Sequence, residues 1–141
     1  MTTPALASYL TQLKRGDAAT PEVFTLIAEV GDIAGPDLKS NMEVVTSHSS
    51  GGMEESIPTI QSVGQVKFPV NFVPSNATHS NAAGLVKDWR LKTFRNFQMV
   101  WPDASMCTFS AYVSEVAFKS GVKPVLSADV TLDISGAIAW A

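Results

Sequence analysis

Residues 126–135 read Leu126-Ser127-Ala128-Asp129-Val130-Thr131-Leu132-Asp133-Ile134-Ser135, a strict alternation of apolar and small polar side chains. Side chains alternate across a strand, so Leu126, Ala128, Val130, Leu132 and Ile134 face a core while Ser127, Asp129, Thr131, Asp133 and Ser135 face out. The outer face is small, polar and acidic. Gly136 ends the pattern, and a short apolar tail with Ile138 and Trp140 follows, suited to a further strand or to docking on a neighbour.

The same period recurs upstream. Cys107, Phe109, Ala111 and Val113 form one face of a strand whose other face holds Thr108, Ser110 and Tyr112, and Gly121 to Pro124 marks the turn after it. Phe97, Met99 and Trp101 alternate just before Pro102-Asp103-Ala104-Ser105, a turn-forming tetrad, so the two runs read as a β-hairpin. Val66, Phe68, Val70 and Phe72 give another inward face, and Pro69 within that run lacks a ladder donor, which predicts an edge or a bulge. Phe24, Leu26, Ala28 and Val30 suggest a strand with Ile27 alone on its far side.

One helix is expected where Ala82, Leu85, Val86 and Trp89 follow the i, i+3, i+4, i+7 spacing, with Ser75, Asn76 or Thr78 as cap and Lys87, Arg90 and Lys92 near its end. The arm 1–22 carries a weak helical stripe at Leu6, Tyr9, Leu10 and Leu13, yet Gly16 and Pro21 suit an extended, assembly-dependent arm equally well. After a short strand around Met42 to Thr46, residues 47–64 read as a long loop without a clear period, a length uncommon unless the loop binds something or is disordered when free. The expected fold is mainly β, a two-sheet β-sandwich with one α-helix, as a single domain over 1–141.

Composition narrows the function. A chain of 141 residues buries about two thirds of its unfolded surface around one core. Only 16% of residues are charged, so the surface leans on Ser, Thr, Asn and Gln, which eases contacts between subunits. Ten Lys and Arg against thirteen Asp and Glu leave a net charge of −3, which disfavours tight nucleic-acid binding. No apolar run reaches the length of a membrane span, and Met1-Thr2-Thr3-Pro4 lacks the pattern of a secretion signal, so cytosolic synthesis is expected.

Catalytic and metal chemistry lack their usual residues. The two histidines, His48 and His79, are far apart, and with a single cysteine there is no ligand set; His48 reads as a hydrogen-bonding loop residue and His79 as one near the helix start. Cys107 alternates with Phe109 and Ala111, which points it into the core as an inert thiol. Glu54 and Glu55 are adjacent and point apart in extended chain, a poor acid/base pair. Lys87, Arg90, Lys92 and Arg95 read as solvated charges at a helix end. No cofactor and no enzymatic activity are expected.

The order of several phrases resembles the tail tube (major tail) proteins of long, non-contractile-tailed bacteriophages from about Phe24 to the C-terminus. These phrases are Ile27-Ala28-Glu29-Val30, Gly35-Pro36, Val44-Val45-Thr46-Ser47-His48-Ser49, Ile57-Pro58, the Val66 to Phe72 strand, Trp101-Pro102-Asp103, Phe109-Ser110-Ala111-Tyr112-Val113 and Val130-Thr131-Leu132. The Thr46-Ser47-His48-Ser49 stretch is the strongest marker. Thr59 and Ala104 stand where the resemblance leads one to expect Gly, and Pro69 interrupts a strand that is otherwise continuous, so local turn geometry should differ there.

The resemblance implies a structural virion protein, assembled in the host cytoplasm, whose homohexameric rings share an inner β-barrel and stack into a tube around the tape measure protein. It implies tail tip and tail terminator proteins as further partners, no membrane, and a lumen through which phage DNA passes without specific binding. In that setting Ser127, Asp129, Thr131 and Asp133 are expected to face the lumen. Ser47, His48, Ser49, Glu54 and Glu55 are expected in the inter-subunit loop 47–64. A tube protein of a contractile tail, or of a type VI secretion-like apparatus, is the alternative, and a carbohydrate-binding sandwich is a more distant one.

Overall fold

The computed structural model describes residues 9–19, 21–122 and 124–140. Its strands are β1 (Gln12–Gly16), β2 (Phe24–Leu26), β3 (Lys39–Val44), β4 (Ser56–Ser62), β5 (Gln65–Asn71), β6 (Arg95–Val100), β7 (Met106–Lys119), β8 (Ser127–Ile134) and β9 (Ala139–Trp140), with helix α1 (Leu85–Leu91) between β5 and β6. Every strand pair is antiparallel. Seven strands form one sheet in the order β2-β1-β6-β7-β8-β5 with β9 beside β7, and β3 and β4 form a second sheet by themselves.

The larger sheet is closed by one segment. Residues following β2, which pairs with β1 at one end of the strand path, pair with β5 at the other end through bridges Val30 to Val70 and Ala34 to Lys67. Gly31 N–H donates to Pro69 O at 2.8 Å and Asn71 N–H to Glu29 O at 3.1 Å. The position of Pro69 follows from this pattern: the N–H groups of Lys67 and Asn71 turn to the closing segment, and Pro69, in the same phase, removes no bond to β8. The sequence expectation of an edge strand holds, with the edge covered.

The alternating runs bury the side chains their period assigns. Val66, Phe68, Val70, Phe97, Met99, Cys107, Phe109, Ala111, Val113, Ala128, Val130 and Leu132 make one core with Leu13, Ile27 and Leu85. A bulge between Val113 and Glu115 lets the long β7 pair first with β6 and then with β8 while both halves keep an inward face. The expected pair of sheets is therefore unequal: one closed sheet holds the whole core, and the other is an exposed hairpin.

Several local expectations change. Ile27 is buried and Leu26 exposed, the reverse of the period read from Phe24 to Val30, because β2 ends at Leu26 and the backbone turns at Glu29 (φ 60°) into the closing segment. Of the arm 1–22, residues 1–8 and 20, with Leu6 among them, lie outside the described residues, and residues 12–16 are extended as β1 instead of helical. The helix begins at Leu85 with Gly84 as its cap and no side-chain cap bond. Asn76 instead organises the preceding turns, its Oδ1 accepting from Thr78 N–H at 2.8 Å.

Helix α1 is anchored by charge. Asp88, not Trp89, is its second buried residue: the Asp88 carboxylate accepts from Arg15 Nε at 2.6 Å and from Arg95 Nε at 2.9 Å, while Trp89 is exposed. Arg95 also donates to Gly16 O at 2.9 Å, so it is a structural cation and not the solvated charge its sequence neighbours suggest. Removing one partner from a buried ionic set leaves the others uncompensated. Asp88→Ala should therefore lower the unfolding free energy by about 3 kcal/mol or more, read from denaturant midpoints; a change below about 1 kcal/mol would refute the anchoring role.

The β6–β7 turn explains one departure noted in the sequence. Ala104 sits at φ 71°, a left-handed position that costs a residue with a Cβ, and Ala104 N–H closes the turn on Trp101 O at 2.9 Å. Ala104→Gly should raise stability by about 0.5 to 1 kcal/mol, seen as a higher melting temperature.

Candidate functional site

Two surfaces stand apart from the core. The first is the β3–β4 hairpin, in which every residue of both strands is exposed. What the sequence presents as the loop 47–64 is mostly this hairpin: a 3-10 turn at His48–Ser50 forms its tip and β4 returns along β3. β3 also begins earlier than the expected Met42, at Lys39. A strand exposed on both faces has no reason to alternate, which is why periodicity does not reveal it.

Directly paired residues share a face, so Met42 with Pro58 and Val44 with Ser56 lie on one side; the register shift between Ser40 and Met42 sets Thr59 and Ile60 together opposite Asn41 and ends that alternation. Glu43 and Ile57 pair on the other side, where Thr59 Oγ1 donates to Asn41 O at 3.1 Å. Met42 is 56% exposed and Val44 60%, an apolar face with no cover from its own chain. Ser47, His48, Ser49, Glu54 and Glu55 all lie exposed at or beside the tip, with Ser47 and Ser49 hydroxyls 2.9 Å apart.

This hairpin forms an arm, distinct from the N-terminal residues 1–22, and is rooted on the closed sheet. It leaves after Ala34 and returns at Gln65, beside the Ala34–Lys67 bridge. Gly35 (φ 104°) lies so near the Gln65 carbonyl that a Cβ there would collide with it, and a Cβ on Gly64 (φ 77°) would stand 3.1 Å from the Asp37 carbonyl oxygen.

The second surface is the outer face of the large sheet. Rows across it read Gln65, Asp133 and Tyr112; Lys67, Thr131 and Glu115; Pro69, Asp129 and Ala117; Asn71, Ser127 and Lys119. Ser127, Asp129, Thr131 and Asp133 are thus brought together and turned outward, opposite the buried Ala128, Val130 and Leu132. The face is not acidic as the strand alone suggests. Lys119 Nζ lies 2.8 Å from Asp129 Oδ2, Lys67 stands in the next row, and Lys14 joins the same face through β6, so lysines match the carboxylates Glu115, Asp129 and Asp133.

The remaining candidates are structural. His79 is buried, its Nε2 donating to Ala28 O at 2.6 Å and its Nδ1 accepting from Val73 N–H at 3.2 Å, so it ties the closing segment to the end of β5. Cys107 is buried, and burial pushes its thiol pKa up, away from nucleophilic character. Among the described residues no three His, Cys, Asp or Glu side chains are grouped to hold a metal, and no helix is long and apolar enough to cross a membrane.

No protein-family model and no curated protein matches the chain. Solved structures match its fold over almost the whole length. A chain from the tail of an empty gene transfer agent particle, refined with helical and C6 symmetry, aligns with a TM-score of 0.77 at 16% identity, covering 97% of this chain and 99% of that one. A chain of the sheath-tube complex of an extracellular contractile injection system aligns at 0.70 and 11% identity, covering 99% and 93%. One from the tube terminating cap of the anti-feeding prophage aligns at 0.69 and 10% identity, covering 100% and 95%.

Proposed function

We propose that this chain is the structural subunit of a phage-type tail tube: copies join in sixfold rings, the rings share an inner β-barrel, and their stack encloses the tape measure protein and later conducts DNA. The observation that carries this reading is the arm. A two-stranded hairpin with an uncovered apolar face is marginal in water by itself and gains its stability from a neighbour. The fold likeness to chains of a helical, C6-symmetric tail and of tube assemblies supports a role in a repeating polymer.

Low charge density serves the same role. With 16% charged residues, the desolvation cost of bringing many copies together is small. The matched lysines and carboxylates around Ser127, Asp129, Thr131 and Asp133 give a face that neither clusters cations nor presents bare apolar surface. As the lumen wall, such a face lets a polyanion slide, because phosphates find no concentrated positive charge to release counterions against. The role is structural and not catalytic, and the finished site is the virion, with tail tip and terminator proteins closing the two ends of the tube.

A long, non-contractile tail is the form we favour. The tube of a contractile or type VI secretion-like apparatus is the second reading, favoured by the likeness to the sheath-tube complex chain. Purification of particles separates them: a sheath layer around the tube identifies the second.

Negative-stain microscopy of the purified chain should show hollow tubes or rings, and Met42→Lys with Val44→Lys should leave folded subunits that do not assemble. Persistent wild-type monomers, in the presence of the other tail components, would sink the assembly reading. Asp129→Lys with Asp133→Lys turns the balanced face strongly positive and should slow or block DNA ejection from intact tubes; undiminished infectivity would remove this face from the lumen.

A further inference from the structure

We infer that the cleft between the root of the β3–β4 hairpin and the β8–β9 connection is a binding site for a neutral oligosaccharide. It goes beyond the tube reading and does not depend on it. The cleft measures about 770 Å³, room for a small ligand of several rings, with Lys39 and Gln61 on the hairpin side and Asp133 to Ile138 opposite, and with Trp140 in its wall.

That wall joins one flat apolar face to many hydrogen-bonding groups. Trp140 is 60% exposed and stacks on the half-buried Trp101, with ring centroids 6.0 Å apart and planes 9° apart. Trp101 packs against the core and is no part of the cleft wall, so it holds the Trp140 indole flat from behind and leaves the other indole face free. A pyranose ring carries a face of C–H groups that lies on such an indole, while its hydroxyls reach sideways. Around Trp140 the cleft offers the Gln61 amide, the Asp133 carboxylate and the hydroxyls of Ser40, Ser62 and Ser135. Amide and carboxylate each present two hydrogen-bonding atoms in one plane, which suits adjacent hydroxyls on a sugar ring. Gln61 Nε2 lies 3.4 Å from Ser40 Oγ, a long bond that a sugar hydroxyl can replace.

Charge selects the class of sugar. Lys39 and Asp133 both line the cleft, and the exposed Asp37 stands beside Gly64 at its edge. Two carboxylates against one ammonium disfavour an anionic ligand: a uronic acid, a phosphorylated glycan or a nucleic-acid strand, although a base would suit the indole. A wholly apolar ligand is disfavoured as well, because it would cover the amide, the hydroxyls and the charges without meeting their hydrogen bonds. A neutral sugar satisfies both kinds of surface. It also accounts for a tryptophan that the chain holds in a stack yet leaves largely in water.

The three tryptophans give separate indole N–H signals in NMR, and Trp89, exposed on α1 and outside the cleft, is the internal control. Titration of the soluble chain with maltohexaose, chitohexaose or mannohexaose should move the Trp140 signal saturably in the millimolar range for at least one of them, leave Trp89 in place, and show no effect with oligogalacturonate. Where the wild type polymerises, the chain with Met42→Lys and Val44→Lys serves, since both positions lie outside the cleft wall. Gln61→Ala should weaken binding several-fold and Trp140→Ala should abolish it; if Trp140→Ala does not fold, Gln61→Ala decides. A still Trp140 signal with all three sugars, equal shifts at Trp89, equal binding of oligogalacturonate, or binding unchanged by Gln61→Ala overturns the site. None of these outcomes touches the tube reading, which the microscopy tests separately.

Discussion

Everything in this subunit depends on one stretch of backbone that pairs twice. The segment after β2 lies against β1 at one end of the strand path and against β5 at the other, through Val30, Gly31 and Ala34. An open sheet of this size leaves two rows of unmet N–H and C=O groups, each an invitation to unintended pairing. Closing the path with a single segment satisfies both rows and forces the inward faces of β5, β6, β7 and β8 onto one another. His79, bonded to Ala28 O and Val73 N–H, locks that segment from beneath.

With the edges closed, the parts left open are informative. The closed sheet buries its own core, whereas the hairpin has both faces in water. In the proposed assembly, stability and subunit contact fall to different residues. Core strands supply the first, and the excursion between Ala34 and Gln65 is the part left free for the second.

How much of this was legible in the sequence follows from the same division. Where one face is buried and the other wet, the period of two appears: the inward residues of β5, β7 and β8 were readable one by one, as were the β6–β7 turn and the role of Pro69. The hairpin was not, because exposure on both faces erases the period. Ile27 was misread because the run 24–30 spans a strand and a bend with different phases. Asp88 was invisible because a buried carboxylate in a helix looks like any surface acid until Arg15 and Arg95 are seen around it. The outward stripe of β8 was read correctly in direction but not in charge, since its lysines come from β5, β7 and β1.

The root of the arm has a consequence for how such subunits change over time. The chain departs and returns beside a single bridge, pinched by Gly35 against the Gln65 carbonyl and by Gly64 against Asp37. Loop-closure entropy grows only slowly with length, so residues between those two glycines are free to be lost, gained or exchanged with little cost to the folded body. A lineage of such proteins can then diverge in the reach and chemistry of the hairpin while its closed sheet stays the same, which makes the length of that projection a heritable variable separate from the fold.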